Sequence, residues 1–219
     1  MRTSSAILLA CWSIAFGAQA QGFKFSNPPA DAAGQAQAQA QRDATVSAQL
    51  ATPCRDRIKN RKILVLIGQE TNGRVTASQG TYGRHVEAVN TRLQNLGLKT
   101  YSAEQIRKQI AQEEIDAYFK NDPDRALSAS KRLSAQYVLR GVIATQAVRN
   151  AIVNVNQVNV NMNFTLTDAA GRPVSTASAN NASYAGNDTS GMALTLLEER
   201  ADQVVAQLYS DYCRNGAAR

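Results

Sequence analysis

Tyr137-Val-Leu-Arg-Gly-Val-Ile-Ala-Thr145 and, beyond a short polar turn at Arg149, Asn150 and Ala151, Val153-Asn-Val-Asn-Gln-Val-Asn-Val-Asn-Met-Asn-Phe-Thr-Leu166 decide the reading of this chain. The first segment is β-branched and apolar at both parities, the pattern of a central strand covered on both faces. In the second, Val158, Val160, Met162, Phe164 and Leu166 alternate with Asn159, Asn161, Asn163 and Thr165, so the spacing predicts a strand with one dry and one wet face. Val153 and Val155 are out of phase with Val158, which predicts a β-bulge at Asn156-Gln157.

The asparagine row Asn154, Asn156, Asn159, Asn161 and Asn163 admits three readings. It is the solvent face of an antiparallel pair, or the lumen side of a transmembrane β-hairpin, or a docking face whose amides supply donors and acceptors to another chain. The next strand candidate, Val174 to Ser183, is rich in Thr, Ser, Ala and Asn and offers little to lipid.

Working outward, Lys62-Ile-Leu-Val-Leu-Ile-Gly68 is a second apolar run of strand length. A polar loop from Gln69 to Gly83 leads to Val86, Val89, Leu93 and Leu96, helical in spacing and closed by Gly97 as a left-handed cap. Leu98 to Tyr101 reads as a short strand. Ser102 with Gln105 forms a capping box opening a helix to Phe119, and Asp122-Pro123 opens another to Leu133. Asp168-Ala-Ala-Gly171 is a hairpin turn, and Asp188, Thr189 or Ser190 caps a long helix with Leu194, Leu197, Ala201, Val204 and Leu208 on one stripe. The expected fold is α/β (α+β): a mixed sheet in the order β-α-β-α-α-β-β-β-α, helices packed on the sheet, ending in a long helix.

The ends of the chain carry other information. Met1-Arg2, the apolar run Ala6 to Phe16 and Ala18-Gln-Ala20 make a secretory signal over residues 1–20. Leu8-Leu-Ala-Cys11 offers the alternative of an outer-membrane lipoprotein beginning at Cys11. Residues 21–53, with Pro-Pro and Ala-Gln repeats, read as a tether in which a transient helix is open; residues 54–213 form a single domain, and 214–219 a tail. Removal of the signal leaves Cys54 and Cys213, whose even count in an oxidising compartment makes a disulfide the default over two separate thiols. Of the net charge of +7, Arg2 supplies the one charge before Gln21, which leaves +6 on a mature chain. That balance suits peptidoglycan carboxylates or an anionic outer-membrane surface. Nucleic acid is not expected, since the basic residues are spread out and no stacking-aromatic motif accompanies them.

Ala129-Ser-Lys-Arg-Leu-Ser-Ala-Gln-Tyr-Val-Leu-Arg-Gly141, a helix end running into a central strand that closes on Gly, resembles a segment of envelope domains related to the N-terminal domain of the Tol translocation protein. That group includes the curli secretion channel, the lipoprotein activator of a peptidoglycan synthase and the flagellar assembly protein of the basal-body ring. Gln136 stands where the group usually carries an acidic residue, and a clear lipid anchor is lacking. The resemblance, over roughly Lys62 to Cys213, implies a periplasmic module that acts by contact.

No catalytic constellation stands out, and no cofactor or metal is expected. His85 is the one histidine and reads as a surface or cap residue. Glu113 and Glu114 are adjacent in a helix and point about 100° apart. Gly80-Thr-Tyr-Gly83 lacks the residues of a phosphate loop, and Ser78, Ser190 and Ser210 lie in no nucleophile turn. Two classes remain: a non-catalytic module that binds an envelope protein or a second copy of itself, and a small polar-ligand carrier or enzyme with a scattered site.

Overall fold

A computed structural model describes residues 32–71, 73–120, 131–150, 152, 155–185 and 188–215. The expected signal peptide, Asn154 and the helix opening at Asp122-Pro123 lie outside the described residues, although 131–133 are helical. In chain order the elements are α1 (Ala32–Leu50), α2 (Arg55–Ile58), β1 (Lys62–Thr71), β2 (Arg74–Thr76), α3 (Gly83–Asn95), β3 (Lys99–Thr100), α4 (Ala103–Gln109), α5 (Gln112–Phe119), β4 (Tyr137–Asn150), β5 (Val155–Asp168), β6 (Pro173–Ala185) and α6 (Thr189–Asn215). The result is a mixed α+β fold on a six-stranded sheet ordered β2-β1-β4-β5-β6, with β3 added beside β1. β1 is parallel to β3 and β4, and β4, β5 and β6 form an antiparallel meander.

Two cores lie on opposite faces of the sheet. On one, Ile63, Val65 and Ile67 of β1, Leu139 and Ile143 of β4 and the even-numbered apolar row of β5 pack under α3 and α6. On the other, Leu64, Leu66 and Val138 pack against Ile106, Ile110 and Ile115. β1 is thus buried on both faces, as its continuous apolar run requires. β4 is not: α4 and α5 reach no further than its first residues, and Val142 and Ala144 are half-exposed. The expected double cover of Tyr137 to Thr145 holds only at its start.

The local signals act where they stand. Ser102 and Gln105 exchange both bonds of a capping box. Gly97 takes φ +96° while Leu98 N–H donates to Leu93 O. Gly171 takes φ +80° in a turn where the Asp168 carboxylate accepts from Ala170 and Arg172 N–H. Asp188 caps α6 by accepting from Gly191 N–H at 2.7 Å. Cys54 and Cys213 are joined by a disulfide with Cα atoms 5.5 Å apart, and Arg57 Nη2 donates to Cys213 O at 2.7 Å.

Several expectations are corrected. The helix from Ser102 to Phe119 is two: Ile110 is extended, buried between α4 and α5, and Glu114 restarts the helix by accepting from Ala111 N–H at 3.1 Å. The loop after Gly68 holds a further hairpin, because β1 runs on to Thr71 and pairs with β2. β4 runs through Arg149 and Asn150, so the β4–β5 turn lies beyond them. No bulge interrupts the β4–β5 register, which is continuous from Tyr137↔Asp168 to Asn150↔Val155. Instead Val155 lies on the wet side, 39% exposed, and the one register shift is between Leu166 and Thr167 opposite β6. Residues 32–50 form a helix beside α6, with Ala38, Arg42, Val46, Gln49 and Leu50 half-buried at helical spacing. Only Ala38, Val46 and Leu50 of that stripe are apolar, which is why no continuous apolar face marks it in the sequence.

Candidate docking face

Because α4 and α5 stop short, no second layer among the described residues covers the far face of β4, β5 and β6, and alternation decides what it shows. Register brings Val142, Asn163 and Ser178 into one row, Ala144, Asn161 and Asn180 into the next, and Gln146, Asn159 and Ala182 into a third. Asn161, Asn163, Ser178, Asn180 and Ala182 are exposed and Asn159 half-buried. None of the nine is charged, although the chain carries +7. Arg140 bounds the face at its start, donating to Tyr118 O at 2.7 Å.

Asn156 pairs with Arg149 and shares the parity of buried Val158, so it belongs to the opposite face from Asn159, Asn161 and Asn163. The asparagine row of the sequence therefore divides. At the hairpin end the exposed large apolar residues among the described ones gather: Val148 at 47%, Ile152 at 93% and Val155 at 39%. The hydropathy alternation shows only two of these as out of place, and nothing in the sequence says that the covering layer stops short. The dry face of β5 is covered by α3 and α6, so it is not a lipid-facing surface.

The edge of the meander is β6, thirteen residues from Pro173 to Ala185 without a charge. Two of its backbone groups are held by side chains. Gln207 Nε2 of α6 reaches Thr176 O at 3.5 Å, and Asn181 Oδ1 accepts from Ala182 N–H at 3.0 Å. Asn181 is itself oriented by donating to Glu199 Oε2 at 2.7 Å.

The rejected chemistry is equally local. Glu114 pairs with Arg132 at 2.8 Å as well as capping α5, so it does not form an acid and base pair with Glu113. Ser210 is buried in α6. His85 is half-buried rather than a surface residue, edge-on to the Tyr82 ring at 5.7 Å between centroids. Its Nδ1 and Thr145 Oγ1 are buried without partners beside a pocket of about 80 Å³ between Gln69 of β1, the middle of β4 and the start of α3. Burial, and then Arg84, push its pKa below the ordinary 6.5. A second, apolar cavity of about 40 Å³ lies between Leu96, Leu98, Leu139, Val205 and Leu208.

No family model and no curated protein matches the chain. Solved structures do. The PelC dodecamer from Paraburkholderia phytofirmans is 17% identical, with 69% of this chain and 88% of that chain covered and a TM-score of 0.40. Lipoprotein GNA1162 from Neisseria meningitidis is 16% identical over 66% and 98% of the two chains, TM-score 0.40. The LpoB C-terminal domain from Salmonella enterica is 17% identical over 63% and 93%, TM-score 0.38. What is shared is the fold. No helix among the described residues is long and apolar enough to cross a membrane.

Proposed function

We propose that this chain is a non-catalytic protein of the cell envelope, exported by residues 1–20 into the periplasm, that docks another envelope protein on the open face of β4, β5 and β6. Its role is that of an assembly, secretion or cell-wall-synthesis module. The carrying observation is the neutral amide and hydroxyl surface centred on Asn159, Asn161 and Asn163, continuous with the exposed Val148 and Val155. An apolar patch bordered by groups that can both donate and accept suits a protein partner. The rival polar-ligand reading has the His85 pocket, at about 80 Å³ room for only a few waters, and an open hollow of about 520 Å³ lined by Leu50 to Arg57 and Tyr209.

The test is capture of crosslinked partners from envelopes, followed by their identification. Replacing Asn159, Asn161 and Asn163 together by Lys is expected to leave the fold intact, at no more than about 0.5 kcal/mol each, and to abolish capture. A folded triple variant that captures the same partner as the parent removes this face from consideration. Turnover of an envelope substrate by the pure protein removes the non-catalytic reading.

A further inference from the structure

β6 is an edge that lacks the usual protections. An exposed strand is normally shielded by charge, by Pro within it or by shortness. β6 has no charge, its one Pro is its first residue, and it is thirteen residues long. Its protection is two side-chain caps: Gln207 on Thr176 O, and Asn181 on Ala182 N–H. Those bonds show that the backbone groups of the even-numbered residues point away from β5. Ser178 and Asn180, between them, have the same outward parity and are exposed.

The sequence of the edge chooses the occupant. Folded back antiparallel about Asn180, Ser178 meets Ala182, Ala179 meets Asn181 and Ala177 meets Ser183. These pairs carry no charge, so no like charges oppose one another at the centre of the seam, and Thr176 meets Tyr184 toward its ends. We infer that β6 pairs with β6 of a second copy, antiparallel and centred on Asn180, exchanging the two side-chain caps for backbone bonds: Ala182 N–H passes from Asn181 Oδ1 to the partner's Ser178 carbonyl. The two-fold axis stands perpendicular to the sheet, so the open faces of both copies join into one surface six strands wide. The pairing stands on the edge itself and not on the docking reading; it is read without any partner protein.

Cross-linking tests the register. In an antiparallel pair that exchanges both hydrogen bonds the Cα atoms lie about 5.5 Å apart, within disulfide range. With Cys11 replaced by Ser in every variant, Asn180→Cys is expected to form a disulfide-linked dimer on mild oxidation. Ser178→Cys alone is expected not to, because its own counterpart is four residues along, about 14 Å away. An equal mixture of Ser178→Cys and Ala182→Cys proteins is expected to cross-link. Ser178→Pro removes an outward donor without touching the β5 ladder, and sedimentation should show it as a monomer with an unchanged circular dichroism spectrum, against a dimer for the parent. A monomeric parent, or equal cross-linking of Asn180→Cys and Ser178→Cys, overturns the inference.

Discussion

The hydroxyls of Tyr137 and Tyr212 lie 2.9 Å apart, joining the first residue of β4 to the end of α6. The rings meet edge to face, 5.4 Å between centroids. Burial, and then the bond to Tyr212, push the Tyr137 pKa up from 10.0 to about 12. A phenol held neutral in the fold stabilises it fully below pH 10, and that contribution is lost as pH rises through about 12. Tyr137→Phe should cost roughly 0.5–1.5 kcal/mol in urea denaturation at pH 7. It should also flatten the fall in stability between pH 10 and pH 12, and a variant that keeps the full parental slope would assign that slope elsewhere.

His85 gives the opposite sign. Its imidazole is held neutral below the ordinary 6.5, so the unfolded chain takes up a proton first as pH falls. The related stability is present above pH 6.5 and declines as pH drops below it. His85→Gln is expected to show a shallower decline than the parent in thermal melts taken from pH 7 down to pH 5, and an unchanged decline would count against this role.

The Cys54–Cys213 bridge closes a loop of 159 residues. On the chain-entropy account such a closure contributes at most about 5 kcal/mol. Reduction, or Cys54→Ser, should lower the denaturation midpoint substantially. Alkylation of both thiols in unreduced protein would show that the bridge does not form.

Gly141 sits in β4 directly over the Phe164 ring, where an added Cβ would lie 2.5 Å from Cε1. Gly141→Ala should therefore cost about 1–3 kcal/mol, through displacement of Phe164 from the core. Pairing it with Phe164→Leu should recover part of the loss, and an additive double variant would argue against this contact.

The meander was legible because β5 alternates with period two from Val158 onward and its turn carries Asp168 and Gly171 at the required places. The phase break is not a bulge turning Val155 inward: Val155 is exposed where the helices no longer cover the sheet. Alternation tells which residues share a face, not how far the opposite layer extends; that extent made Asn161 a surface residue, whereas Asn156 falls on the other face because no bulge shifts its parity. The division at Ile110 was hidden because an extended Ile buried between two helices keeps the apolar spacing of one. The His85 pocket was invisible because Gln69, His85 and Thr145 converge from three separate elements.

The direction of α1 sets which way the domain points. Tyr209 near the end of α6 donates to Thr52 O at 2.6 Å, and Arg42 approaches Arg200, so α1 runs parallel to α6. Its nineteen residues rise about 28 Å, from the hairpin end of the meander at Ala32 to the disulfide end at Leu50. Ala32 thus lies at the hairpin end, opposite the disulfide, so the chain enters the domain beside exposed Val148 and Val155 and the amide face they border.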